Sequence, residues 1–132
     1  LGLSINMPIF NGLKRKSLID EAKLNLDNDM INYQINRNNL VLRYQNAQTS
    51  VVSAYSNFKS NKDNMTLAKS LANVTNFQYQ KGVATVSDYL NDDNAYKNTQ
   101  NNYLNSLYNL IITQLNYQKS KGTLLSFLNE LK

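Results

Sequence analysis

The chain has no cysteine, no histidine and no tryptophan, and among its 132 residues there are only one proline and four glycines. Without thiol or imidazole there is no thiolate nucleophile, no imidazole base and no zinc site of the usual ligand types, so any catalysis would fall to carboxylates, Lys, Tyr and hydroxyls. The missing cysteines exclude a disulfide scaffold without choosing between cytoplasm, periplasm and cell surface. So few helix-breaking residues leave few places to turn, and a chain of single-domain length is expected to be long rather than globular. No run of about 18 apolar residues occurs, so no transmembrane helix is expected. No charged-then-apolar leader opens the chain and its first residue is Leu1. A piece of a longer polypeptide, cut or processed at its N-terminus, is expected.

What is present is polar and weakly charged. Fourteen Lys and Arg against nine Asp and Glu give a net charge of +5. Apart from Lys14, Arg15 and Lys16 the basic residues are scattered singly, whereas a nucleic-acid groove needs a basic stripe interleaved with stacking aromatics. Nucleic acid is therefore not expected as a partner. Asn leads the remaining polar residues, from biased composition or because the chain lines a water-filled interior.

Residues 1–9 alternate, with Leu1, Leu3, Ile5, Met7 and Ile9 on one side, which is the period of a β-strand. A half-buried strand of a soluble sheet shows that pattern, and so does one strand of a membrane barrel with lipid outside and water inside. Pro8 must sit near the strand end or at an edge, and Asn11-Gly12 marks a turn. Beyond it an apolar seam recurs about every 3.5 residues through Ile19, Leu26, Met30, Tyr33, Leu40, Tyr44, Ala47, Val51, Ala54, Phe58, Met65, Ala68, Ala72 and Tyr79, interrupted by Lys23, Arg37, Asn61 and Thr75. The spacing predicts a coiled-coil-like helix roughly 100 Å long. A second stripe through Leu24, Ile31, Ile35, Leu42, Thr49, Val52 and Tyr55 implies two helical neighbours, as in a bundle or a closed ring of helices. Gly82 sits where this helix should stop. Ser87 or Thr85 can cap a second helix, whose apolar residues run from Val86 to Tyr117, and Lys119 to Gly122 carries a C-terminal signal. A short helix over 124–131 closes the chain.

Three segments then resemble one family, the TolC-like outer-membrane efflux proteins: Ser4-Ile5-Asn6-Met7-Pro8-Ile9-Phe10-Asn11-Gly12, a strand ending in Pro-Ile-Phe; Tyr79-Gln80-Lys81-Gly82-Val83-Ala84-Thr85-Val86-Ser87-Asp88-Tyr89-Leu90, a helical tip; and Lys121-Gly122-Thr123-Leu124, a helix close. The resemblance spans nearly the whole chain. It implies a homotrimeric tunnel in the Gram-negative outer membrane and periplasm, with two strand-and-helix repeats per protomer, of which this chain is similar to one, the C-terminal. The fold class it implies is mainly α, a long antiparallel coiled-coil-like helical hairpin forming α-barrel staves, with an N-terminal β-strand of an outer-membrane barrel. Residues 1–12 would be the barrel strand and junction, 13–79 the long periplasmic helix, 80–86 the tip turn, 87–119 the returning helix, and 120–132 a break and short helix of the equatorial region.

The resemblance also assigns roles. Tyr79, Gln80, Lys81, Gly82 and Val83 would contact a periplasmic adaptor protein, although Gly82 in itself need only permit a left-handed turn. Asp88, with Asn91 and Asp92 beside it, would narrow the tip into a cation-selecting constriction. By itself Asp88 is equally a helix-start carboxylate stabilised by the macrodipole. Asn91 stands where some members have a second acid and Ala84 where some carry a basic gating partner, so a salt-bridge latch would be lacking. Asp88 and Asp92 share a helix face, yet nothing supplies a cleft, a third ligand or a raised pKa, so neither catalysis nor a metal site or cofactor is expected. Lys14, Arg15 and Lys16 would meet anionic headgroups or form a solvated junction. The nine Tyr residues are expected to pack in the seams with their hydroxyls reaching water.

The function implied is the passive exit duct of a tripartite efflux or type I secretion system, for small molecules or proteins, coupled through the adaptor to an inner-membrane pump or ABC transporter. The alternative is a periplasmic coiled-coil arm of an adaptor or structural protein. An arm would not need an aliphatic strand face that spans a bilayer.

Overall fold

The computed structural model of the chain describes residues 2–4 and 12–130. Three helices occupy most of this length, α1 (Lys14–Gln80), α2 (Val86–Lys121) and α3 (Leu124–Glu130), and the described residues contain no strand. The expected strand positions Leu1, Ile5, Met7 and Ile9 lie outside the described residues. Leu3 is described, in irregular backbone with its side chain 95% exposed. By its contacts the chain divides into two units, residues 1–41 and 42–132.

In the first unit the Leu13 carbonyl accepts the Ser17 N–H at 2.8 Å at the start of α1. Every described side chain of this unit is exposed, including Leu24, Leu26, Met30, Ile31, Tyr33, Ile35 and Leu40. Two apolar stripes are thus present here, both uncovered.

The second unit is an antiparallel helical hairpin closed by α3. On α1 the buried or half-buried positions Tyr44, Ala47, Val51, Ala54, Phe58, Asn61, Met65, Ala68, Ala72 and Thr75 are spaced alternately three and four, with Asn76 half-buried beside the last. On α2 the same alternation runs through Tyr89, Asp92, Tyr96, Thr99, Tyr103, Ser106, Leu110, Thr113 and Tyr117. This is the 3.5-residue repeat of two helices packed along one seam. Aromatic pairs pin it at three levels: Tyr44 with Tyr117 at 5.6 Å between ring centroids, Phe58 with Tyr103 at 5.5 Å, and Tyr79 with Tyr89 at 5.5 Å. Between them the most buried residues are small, Ala54, Ala72 and Thr75.

Asn61 and Thr75, expected to interrupt the seam, are part of it. Thr75 bonds across the seam to Asp92, whereas other polar members bond to their own helix: Asn61 Nδ2 donates to the Asn57 carbonyl, Thr99 Oγ1 to Tyr96, Ser106 Oγ to Tyr103 and Thr113 Oγ1 to Asn109. Back-bonding of this kind lets hydroxyls and amides enter a helix interface without orphaned partners. Among the described residues no buried side-chain nitrogen or oxygen lacks a hydrogen bond.

Both flanks of the seam are left open. One helical step turns about 100°, so residues just after seam positions face one side and residues just before them the other. Val52 and Tyr55 follow Val51 and Ala54, and with Leu110, Ile111 and Phe127 they line an apolar groove of about 690 Å³. Asn46, Ser50, Ser53 and Asn57 precede seam residues and line a polar groove on the other side. Nearer the turn the preceding side of α1 carries apolar residues as well. Leu67, Leu71 and Val74, which precede Ala68, Ala72 and Thr75, are 72%, 51% and 52% exposed.

Candidate functional site at the hairpin tip

The turn from α1 to α2 is built by two complementary capping devices. Gly82 adopts φ +73°, its N–H bonds the Tyr79 carbonyl at 2.9 Å and the Val83 N–H bonds the Gln78 carbonyl at 2.9 Å. This pair of bonds around a left-handed glycine satisfies the last carbonyls of a helix. A Cβ built on Gly82 would meet nothing within 4 Å, so the glycine is required here by backbone conformation and leaves open space above itself. Of the two candidate caps for α2, Thr85 is the one used: its hydroxyl accepts the Asp88 N–H at 3.2 Å, while the Asp88 carboxylate accepts the Thr85 N–H at 3.0 Å. This reciprocal capping box fixes the first turn of α2.

Around this turn the side chains sort by chemistry. Tyr79 stacks on Tyr89 with 14° between ring planes, and Lys81 Nζ lies 5.5 Å from the Phe77 ring centroid, a cation–π contact. Gln80, Lys81, Gly82 and Val83 are exposed, and Val83, at 76%, is the barest apolar residue of the turn. The five residues expected to meet a partner therefore sit together at one end of the hairpin, all exposed, with Tyr79 also braced by a stack.

Asp88, Asn91 and Asp92 are not equivalent. Asp88 is exposed, and the Thr85 hydroxyl, followed by the Thr85 backbone N–H, holds its carboxyl below the usual carboxylate range. Both of those bonds fall on Oδ2, so Asp88 caps α2 with one oxygen and presents the other to solvent. Asn91 is exposed. Asp92 points into the seam instead, where it accepts the hydroxyl of buried Thr75 at 2.5 Å. Its neighbour Asp93 pairs with Lys97 at 2.6 Å, which raises the lysine above its ordinary range.

Thr75 was visible in the sequence only as a break in the apolar pattern. Its partner lies 17 residues away across the turn, a pairing that becomes readable once the helix ends are known. Among the described residues no three acidic side chains gather as a metal site would require, and no helix is long and apolar enough to cross a membrane.

The fold is a helical hairpin whose seam mixes aromatic, aliphatic and small polar side chains, with exposed apolar residues on its flanks and a doubly capped tip. The chain belongs to the outer membrane efflux protein family, whose model matches residues 1–123. It is similar to outer membrane protein TolC of Escherichia coli (strain K12), at 24% identity over 124 residues that cover 94% of this chain and 25% of TolC. The chain thus spans about a quarter of the length of that relative.

Proposed function

We propose that the chain is one strand-and-hairpin repeat of a trimeric outer-membrane exit duct that passes solutes or proteins passively across the periplasm and outer membrane. The observation that carries this reading, beside family membership, is the pair of uncovered apolar flanks on opposite sides of the seam. A lone hairpin gains nothing from such flanks, whereas a stave in a closed wall has both covered.

In this reading residues 1–9 form a barrel strand, and the tip at Tyr79, Gln80, Lys81, Gly82 and Val83 receives a periplasmic adaptor protein that couples the duct to an inner-membrane pump. Asp88 and Asn91 line the mouth. Repeated around a three-fold axis, the outward oxygen of Asp88 places several carboxylates in one narrow opening, which attracts cations. Asp92 supports that mouth from the seam through Thr75 rather than adding its charge to the opening.

The test is single-channel conductance of the complete polypeptide in a planar bilayer, with and without Asp88→Asn. Steady conductance whose cation preference falls in the variant is expected. Conductance indifferent to the substitution would remove Asp88 from the mouth, and a well-folded trimer that does not conduct would overturn the duct.

A further inference from the structure

The start of α1 carries a feature that conduction does not need. No acidic residue occurs before Asp20, while Lys14, Arg15 and Lys16 follow one another directly. All three are exposed, and the first turn of α1 contains no acid. The ion pair formed among the described residues, Lys97 with Asp93, lies elsewhere in the chain. The apolar neighbours are equally bare: Leu13 is 74% exposed, Leu18 56% and Ile19 50%.

We propose that Leu13 to Ile19 form a basic collar that docks on anionic phospholipid headgroups at the membrane boundary. The inference rests on the duct reading, which puts residues 1–9 in the bilayer and so brings this segment to the headgroup level. Charge and apolarity together select the partner. A nucleic acid or an acidic peptide would match three adjacent cations but leave Leu13 and Leu18 in water. A lipid surface takes both, because leucines enter the acyl boundary while Lys and Arg stems lie along it with their charged ends among phosphates. Three consecutive helical residues spread over most of the helix circumference, so at least one cation faces the membrane whatever the rotation of the helix. Each basic residue near an anionic surface strengthens association by about fivefold.

The test compares spin-labelled phosphatidylglycerol with phosphatidylcholine at the boundary of the complete polypeptide in reconstituted membranes. The expected result is a preference of about fivefold or more for phosphatidylglycerol at low salt. It should fall towards unity in about 1 M salt, where the screening length shrinks to about 3 Å. The preference should vanish in the triple variant Lys14→Gln, Arg15→Gln, Lys16→Gln and persist in the charge-preserving Lys14→Arg, Lys16→Arg. Equal association of both lipids with the unmodified protein overturns the collar, and so does a preference that survives the triple Gln variant. Conductance of the same preparations judges the duct separately. A conducting protein without lipid preference leaves the duct and removes the collar, while a charge-dependent preference without conductance does the reverse.

Discussion

The Thr75 hydroxyl and the Asp92 carboxylate illustrate how one buried polar group organises its surroundings. Thr75 is 6% exposed, so removing its acceptor leaves a hydroxyl that water does not reach. A hydrogen bond to a charged acceptor contributes about 1.5–3 kcal/mol, and an orphaned buried donor costs about 1–3 kcal/mol. Thr75→Val, which keeps the shape and deletes the donor, should therefore destabilise the chain by about 1–2 kcal/mol in urea titrations. Asp92→Ala should do no better, and the double variant should lose less than the two single losses together. Strict additivity would mean that the two groups stabilise the hairpin independently. Asp88 makes a prediction of a different kind. Its carboxyl is held below the usual range by Thr85, so the capping contribution is present above the unfolded carboxylate pKa and disappears as pH falls through the lower folded value. Acid should lower the helix melting temperature, followed by circular dichroism, less in Thr85→Ala than in the parent, because that variant has already lost most of the bond. Thr85→Ala should itself cost about 1 kcal/mol at neutral pH.

At the scale of helices, Gly82 is the position where the sequence and the backbone agree most directly. Any L side chain at φ +73° is strained, although the space around it is open. Gly82→Ala should cost about 1 kcal/mol in thermal unfolding and leave the helix content unchanged, since the strain is local. A cost near zero would mean that the turn rearranges freely. The turn was legible because Gly82 follows a long stretch without Gly or Pro, and the seam because Tyr44, Val51, Ala54, Phe58, Met65 and Ala72 keep heptad spacing. The polar members of the seam were not legible. Hydropathy reads Asn61 and Thr75 as breaks, yet Asn61 satisfies itself on the Asn57 carbonyl and Thr75 on Asp92, and neither bond leaves a trace in a pattern of apolar spacing. For the same reason Asp92 could not be separated from Asp88 in advance. Both lie on one helix face one turn apart, and the partner that draws Asp92 inward belongs to the other helix.

For the molecule as a whole the apolar surface left outside the seam decides what the hairpin must do next. Val52 and Tyr55 are 66% and 58% exposed on the side that follows the seam, whereas Leu67 and Leu71 are 72% and 51% exposed on the side that precedes it. Lys59, Lys62 and Lys69 occupy the following side nearer the turn, and Asn46, Ser50, Ser53 and Asn57 the preceding side farther from it. On α1 the two sticky regions therefore differ in side and in height. Exposed apolar patches of this kind drive association, and two of them on one element allow it to continue beyond a pair. The chain by itself should self-associate with rising concentration in sedimentation equilibrium. Val52→Lys and Leu71→Lys should each weaken that association while leaving the other flank active, and the two together should weaken it more than either alone. Association untouched by the pair would place the contact on other residues. A parent chain that stays monomeric at high concentration would mean that these flanks do not drive assembly, and the reading of the hairpin as a stave would lose its physical basis.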